Sequence, residues 1–112
     1  MTKDFYQRVY GVVQAIPRSR VTSYGAIARF LGARGSARLV GTALRQSPDL
    51  LSLPAHRVLN REGRLTGRHA FRPPELMEEL LRDEGFTIRD GQVQEFEKLF
   101  WDPSQHLSLE KY

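Results

Sequence analysis

The stretch Val21-Thr22-Ser23-Tyr24-Gly25-Ala26-Ile27-Ala28-Arg29-Phe30-Leu31-Gly32, followed by Ser36-Ala37-Arg38-Leu39-Val40-Gly41-Thr42-Ala43-Leu44-Arg45-Gln46, decides the fold. Thr22 or Ser23 can cap a helix that buries Ile27, Phe30 and Leu31. Gly32, which has no Cβ, suits the left-handed residue that closes such a helix. Ser36 can cap a second helix to about Gln46, with Leu39 or Val40 and the Ala43-Leu44 pair turned inward. Arg38 and Arg45 then face outward, and Pro48 breaks the run. Two short helices joined by a glycine-bearing turn make a helix-turn-helix candidate.

The flanks extend the pattern. Upstream, Phe5, Val9, Val12, Val13 and Ile16 follow helical spacing behind Thr2 as a cap, and Pro17 ends that helix. Downstream, residues 50–60 have the apolar character of a buried segment that delivers the loop Pro54-Ala55-His56-Arg57-Val58, and Arg61-Glu62-Gly63-Arg64 reads as a turn. A basic loop over residues 65–74 leads to Pro73 or Pro74, which starts a helix on Leu76, Met77, Leu80 and Leu81 that ends at Gly85. Phe86-Thr87-Ile88 and Gln92-Val93 around Asp90-Gly91 suggest a small hairpin. Phe96, Leu99, Phe100 and Trp101 suggest another short helix with a packing role. The 112 residues, 40% of them hydrophobic, suit one compact domain and are too few for two ordinary ones. The expected fold class is mainly α with small β elements, in a single domain spanning residues 1–112.

Charge is unevenly spread. Residues 1–72 hold 13 Lys and Arg against 3 Asp and Glu, a balance of +10, whereas residues 73–112 hold 4 against 10, a balance of −6. Fourteen of the 17 basic residues are arginine. Arginine grips phosphate bidentately and stacks on bases, so a concentrated arginine-rich half favours nucleic acid over mere solubility. Cysteine is absent, which excludes disulfides, thiolate zinc sites and any sulfur nucleophile within these residues. No metal or cofactor is expected. Met1-Thr2-Lys3-Asp4-Phe5 lacks the apolar core of a signal peptide, and no run approaches the roughly 18 apolar residues that span a bilayer, so no membrane partner and a cytoplasmic location are expected.

Pro54-Ala55-His56-Arg57-Val58 resembles the P-C-H-R-V active-site motif of the O6-alkylguanine-DNA alkyltransferases, with Ala55 where those enzymes have the reactive cysteine. Tyr24 at the start of one helix and Arg38 near the start of the next match two further elements of that family, in register and without gaps over residues 21–60. The chain is therefore similar to the alkyltransferase-like proteins, and its fold to the helix-turn-helix, winged-helix-like C-terminal domain of the transferases. The resemblance implies binding of duplex DNA containing O6-alkylguanine and rotation of the lesion into a pocket without transfer of the alkyl group, since transfer needs a positioned thiolate.

Several residue roles follow from that likeness. Tyr24 would press on the phosphate of the flipped nucleotide, and Arg38 would fill the vacated stack. Ala37 and Gly41 would allow close approach to a narrow groove, with Arg45 on the same DNA-binding face. The lesion pocket would comprise Tyr24, Pro54, Ala55, His56, Arg57, Val58 and Arg68. His56 and Glu84 would be the remnant of a proton relay with nothing left to activate. Ser47 departs from the asparagine common in the transferases. The implied partners are lesion-bearing duplex DNA and nucleotide excision repair proteins, with the chain itself a monomer. Two other readings stay open: an alkyl-transfer enzyme using His56 or Tyr24 as nucleophile, and a helix-turn-helix transcription regulator reading an operator.

Overall fold

Helix α1, Phe5–Gln14, starts at Asp4, whose carboxylate accepts from the Gln7 N–H at 2.8 Å. The computed structural model describes residues 4–112, so the Thr2 cap expected from the sequence lies outside the described residues. Val9, Val12 and Val13 are buried on one face of α1, as the spacing requires. That face meets the helix pair that follows. Tyr10, also on α1, donates its hydroxyl to the carbonyl of Ala43 at 2.7 Å, tying α1 to the helix that carries Ala43.

Strand β1, Thr22–Ser23, runs straight into α2, Tyr24–Phe30. Ser23 sits in extended geometry and its hydroxyl accepts from Ala26 N–H, so the sequence-based cap is realised by Ser23 rather than Thr22. Gly32 adopts φ +76°, the left-handed conformation that leaves a β-carbon strained. After a turn at residues 31–36, α3 runs Ala37–Arg45 with Val40, Ala43 and Leu44 buried. Val40 is the inward residue; Leu39 stays 42% exposed. Ser36 holds the cap position of α3 yet makes no side-chain cap bond, because its ψ of 26° is not the extended geometry a capping hydroxyl needs.

The buried segment begins at Leu53, later than the sequence suggested. Leu51 is 62% exposed, because residues 47–52 form a polar turn in which Asp49 Oδ1 accepts from Ser52 N–H at 3.1 Å. A 3-10 turn at Ala55–Arg57 then leads into β2, Val58–Leu59, which pairs in parallel with β1 through Thr22↔Val58 and Ser23↔Leu59. A second 3-10 turn, Thr66–Ala70, precedes α4, Leu76–Asp83, which buries Met77 and Leu81. Gly85 at φ +95° closes α4.

The hairpin is present as β3, Ile88–Arg89, antiparallel to β4, Gln92–Val93. Asp90 and Gly91, at φ 51° and 73°, supply the two left-handed residues of a tight hairpin turn. Helix α5 covers only Phe96–Leu99. Phe100 and Trp101 are extended beyond it, because their backbone pairs with Val21: Val21 N–H donates to Leu99 O at 3.2 Å and Trp101 N–H to Val21 O at 2.7 Å. A short α6, Pro103–His106, follows the Asp102 cap and places His106 parallel to Trp101 at 5.4 Å. The result is a mainly helical, compact fold with a few two-residue strands, its one core running from α1, α2, α3 and the 53–59 segment through Leu65 and Phe71 to Met77 and Leu81 of α4, the hairpin residues Ile88 and Val93, and Trp101.

Candidate nucleic-acid interface

Helix α4 and the connection after α1 hold the 54–58 loop from beneath. Glu84, just past the end of α4, is 9% exposed and is surrounded by donors. Its Oε1 accepts from Ser19 N–H at 2.8 Å and from Arg57 Nε at 3.1 Å, and Oε2 from Arg57 at 2.9–3.0 Å. His56 Nε2 lies 2.6 Å from Oε2. Arg57 also donates to Ile16 O at 2.7 Å, and Ser19 Oγ to Glu84 O at 2.9 Å. Burial pushes the Glu84 carboxyl up, but the Arg57 guanidinium, the Ser19 amide and His56 outweigh it and hold the group below its ordinary range. Burial likewise pushes the His56 imidazole down, and the Glu84 carboxylate offsets only part of that. The ring is therefore neutral at neutral pH, with Nε2 carrying the proton it donates to Glu84.

On the other side of the loop, α2, α3 and the Thr66–Ala70 turn form two adjoining spaces. A cleft of about 290 Å³ is lined by Tyr24, Ala37, Arg38, Gly41, Arg45, Thr66 and Gly67. The five DNA-binding residues read from the sequence thus share one wall system. Arg38 is exposed and its guanidinium makes no ion pair or hydrogen bond among the described residues. Arg45 folds back to donate to Thr42 Oγ1 at 3.1 Å. The Tyr24 ring stands over Gly41 and its hydroxyl against Gly67, where an added β-carbon would come within 2.6 Å of the phenol oxygen. Burial pushes the Tyr24 phenol up, countered in lesser measure by the Thr66 side chain and the Arg45 charge, so it stays a neutral donor.

Tyr24, Gly41, Arg45 and Gly67 also wall a deeper cavity with Leu44, Leu50, Ala55, Ala70 and Phe71. Its volume is about 20 Å³, room for about one water molecule, so a purine enters only if the walls part.

The residues assigned together to a lesion pocket are divided by the structure. Tyr24 and Ala55 face this cavity. His56 and Arg57 turn the opposite way, onto Glu84. Val58 is fully buried in β2, and Pro54 lies at the approach to the 3-10 turn. Arg68 follows Gly67 yet faces a separate groove along α4 and the β3–β4 turn, beside Leu65, Glu75, Glu79 and Asp90. Consecutive residues of a 3-10 turn point about 120° apart, which accounts for the split. Ser47 lines neither space; its hydroxyl accepts from Asp49 N–H at 3.3 Å. Ser19, Thr66 and Gly67 were not singled out in the sequence. Ser19 carries φ +67°, a left-handed conformation for which the residue type gave no signal.

No helix among the described residues is long and apolar enough to cross a membrane.

The family model for the 6-O-methylguanine DNA methyltransferase DNA-binding domain matches residues 4–86. Alkyltransferase-like protein 1 of Schizosaccharomyces pombe is 32% identical over 104 residues, covering 89% of this chain and 96% of that protein. The DNA base-flipping protein of Escherichia coli is 45% identical over 63 residues, and the match spans 56% of this chain and about half, 49%, of that relative. Among solved structures, S. pombe Atl1 in complex with damaged DNA containing O6-carboxymethylguanine superposes with a TM-score of 0.77 at 33% identity, covering 92% of this chain and all of the other.

Proposed function

We propose that this chain, which belongs to the alkyltransferase-like group of the 6-O-methylguanine DNA methyltransferase DNA-binding family, binds duplex DNA at O6-alkylguanine and holds the flipped base without repairing it. The observation that carries this reading is Ala55, at the floor of the cavity beside Tyr24, where a reacting residue would have to stand. A methyl group cannot displace an alkyl chain from oxygen, and the sequence offers no thiol in its place.

The walls are suited to the remaining task. In a helix-turn-helix docking, α3 lies against the duplex with Ala37 and Gly41 allowing close approach. Arg38, whose guanidinium is unspent on the protein, enters the stack vacated by the lesion, where a planar cation covers neighbouring bases and donates to the orphaned partner. Tyr24 presses on the adjacent phosphate. The base then parts the walls of the cavity over Ala55, at an unstacking cost of a few kcal/mol. Arg68 reaches the guanine only if the Thr66–Ala70 turn rotates as the walls part. A lesion held without being removed serves repair only if a second system reads the complex, and nucleotide excision repair is the reader we infer. His56 lacks the exposure a nucleophile requires, and Tyr24 stays protonated, which disfavours transfer to either.

The test is a competition between an O6-methylguanine duplex and its unmodified twin at several salt concentrations, for the native chain and for Arg38→Ala. The native chain is expected to prefer the lesion at every salt concentration, with binding to the undamaged twin falling steeply as salt rises. Arg38→Ala is expected to lose most of the preference, with Arg38→Lys recovering part of it. Equal binding of the two duplexes by the native chain removes the lesion reading.

A further inference from the structure

A cleft of about 320 Å³, lined by Ser23, Arg29, Arg61, Phe96, Glu97 and Phe100, lies outside the interface described above. Arg29 comes from the last turn of α2 and Arg61 from the turn after β2, and the parallel β1–β2 pair brings their elements side by side. Both arginines are exposed, and neither guanidinium makes an ion pair or hydrogen bond among the described residues. Arg57 is engaged with Glu84, Arg82 with Glu78 and Arg8 with the Tyr112 carbonyl, whereas Arg34, Arg38, Arg72 and Arg89 share with Arg29 and Arg61 the lack of a side-chain ion pair or hydrogen bond among the described residues. What sets Arg29 and Arg61 apart is that they line one cleft together.

The two arginines share the cleft with two aromatic rings. Phe96 and Phe100 meet edge to face at 5.5 Å, and Phe96 is seated against Gly63, where a β-carbon would stand 2.9 Å from the ring. Aromatic rings supply no competing acceptor and lower the local dielectric, so two cations beside them attract an anion more strongly than two cations in open water. Glu97 is the one carboxylate lining the cleft, and it pairs with neither arginine within 4.0 Å among the described residues.

We infer that Arg29 and Arg61 form a clamp for the phosphodiester backbone of the duplex flanking the lesion. Continuity selects this occupant over an acidic protein surface: Ser23 lines this cleft, and Tyr24, the next residue, lines the proposed DNA cleft. A duplex seated on Tyr24 and α3 therefore carries its backbone past the start of α2 towards two unengaged guanidinium groups, each able to grip a phosphate bidentately. The inference rests on the reading that the Tyr24 cleft takes duplex DNA. It concerns affinity for any sequence, damaged or not.

Fluorescence anisotropy with unmodified and O6-methylguanine duplexes, across a salt series, tests it. The double variant Arg29→Ala/Arg61→Ala is expected to lower affinity for both duplexes by the same factor, about tenfold near 50 mM salt, and to flatten the salt slope by about 2, the loss of two phosphate contacts. The lesion preference, as a ratio, stays unchanged. Glu97→Gln, which removes the one opposing charge, is expected to strengthen both affinities. An unchanged salt slope in the double variant overturns the clamp, as does an equal loss per arginine in the control Arg89→Ala, an exposed arginine of β3 that lines neither this cleft nor the Tyr24 cleft. Weaker binding by Glu97→Gln also overturns it. A native chain that binds both duplexes equally but loses slope in the double variant would keep the clamp and remove the lesion reading.

Discussion

Two sets of polar side chains, one built around Arg57 and one around Arg38, behave in opposite ways. Beneath residues 54–58, Arg57 is locked onto Glu84, which also receives Ser19 and His56. In the cleft between α2, α3 and the Thr66–Ala70 turn, the Arg38 guanidinium makes no ion pair or hydrogen bond among the described residues. The first set is largely buried, Glu84 most of all, where an unpaired charge is costly and removing one partner destabilises more than the pair itself contributes. The second stays hydrated, so it can be left unpaired at little cost and keep its donors for a ligand. Paired charge shapes the loop, and unpaired charge is available to a polyanion.

The largest expected effect breaks the paired set. Glu84→Gln leaves Arg57 without its counter-charge and should destabilise the fold by about 3–5 kcal/mol in urea unfolding, while the fraction still folded binds duplex within about twofold of the native chain. Loss of DNA affinity with unchanged stability would place Glu84 on the binding side of the comparison instead.

Acidification probes the same set more gently. His56 and Glu84 both titrate below their ordinary values of 6.5 and 4.5 when folded, so the unfolded chain takes up more protons through those ranges. Stability contributed by His56 staying neutral is lost as pH falls below about 6.5, and that contributed by ionised Glu84 as pH falls below about 4.5. Thermal unfolding from pH 8 to pH 4 should show a falling Tm with its first descent beginning near the histidine range. A flat profile to pH 4 contradicts the placement of both groups.

The smallest effect sharpens the unpaired side. Gly41 is inside α3 with ordinary space for a methyl group, 3.5 Å from Arg45 Nη1 and 3.8 Å from the Tyr24 ring. Gly41→Ala should raise stability by about 0.5–1 kcal/mol through helix propensity, yet weaken duplex binding because the methyl group enters the cleft. Calorimetry and anisotropy on one preparation check both signs. A gain in both would mean that α3 does not approach DNA at this glycine.

What was legible in the sequence was local. The spacing of Val9, Val12 and Val13, the Ser23 cap, Gly32 and Gly85 as helix ends, and Asp90-Gly91 as a hairpin turn each depend on neighbours within a few residues. The resemblance placed Tyr24, Arg38 and Ala55 near one another, and Tyr24 indeed lines both the Arg38 cleft and the Ala55 cavity. Side-chain direction was not legible. Arg57 and Arg68 both carry charge next to residues of the cavity, and only the tight 3-10 geometry at Ala55–Arg57 and Thr66–Ala70 turns them elsewhere. The left-handed Ser19 was hidden too, because serine carries no composition signal for that conformation as glycine does.

The backbone at residues 21–23 has a consequence for how the molecule assembles. Val21 bonds to Leu99 and Trp101 from the far end of the chain, and the next two residues pair with Val58 and Leu59 from its middle. These are contacts of high sequence separation, so two large loops must close before the first residues of α2 are held, each closure costing entropy that grows only slowly with loop length. The helices can flicker into existence early, from local contacts. The seat of Tyr24 cannot: it comes into being near the end of folding, when distant thirds of the polypeptide have met.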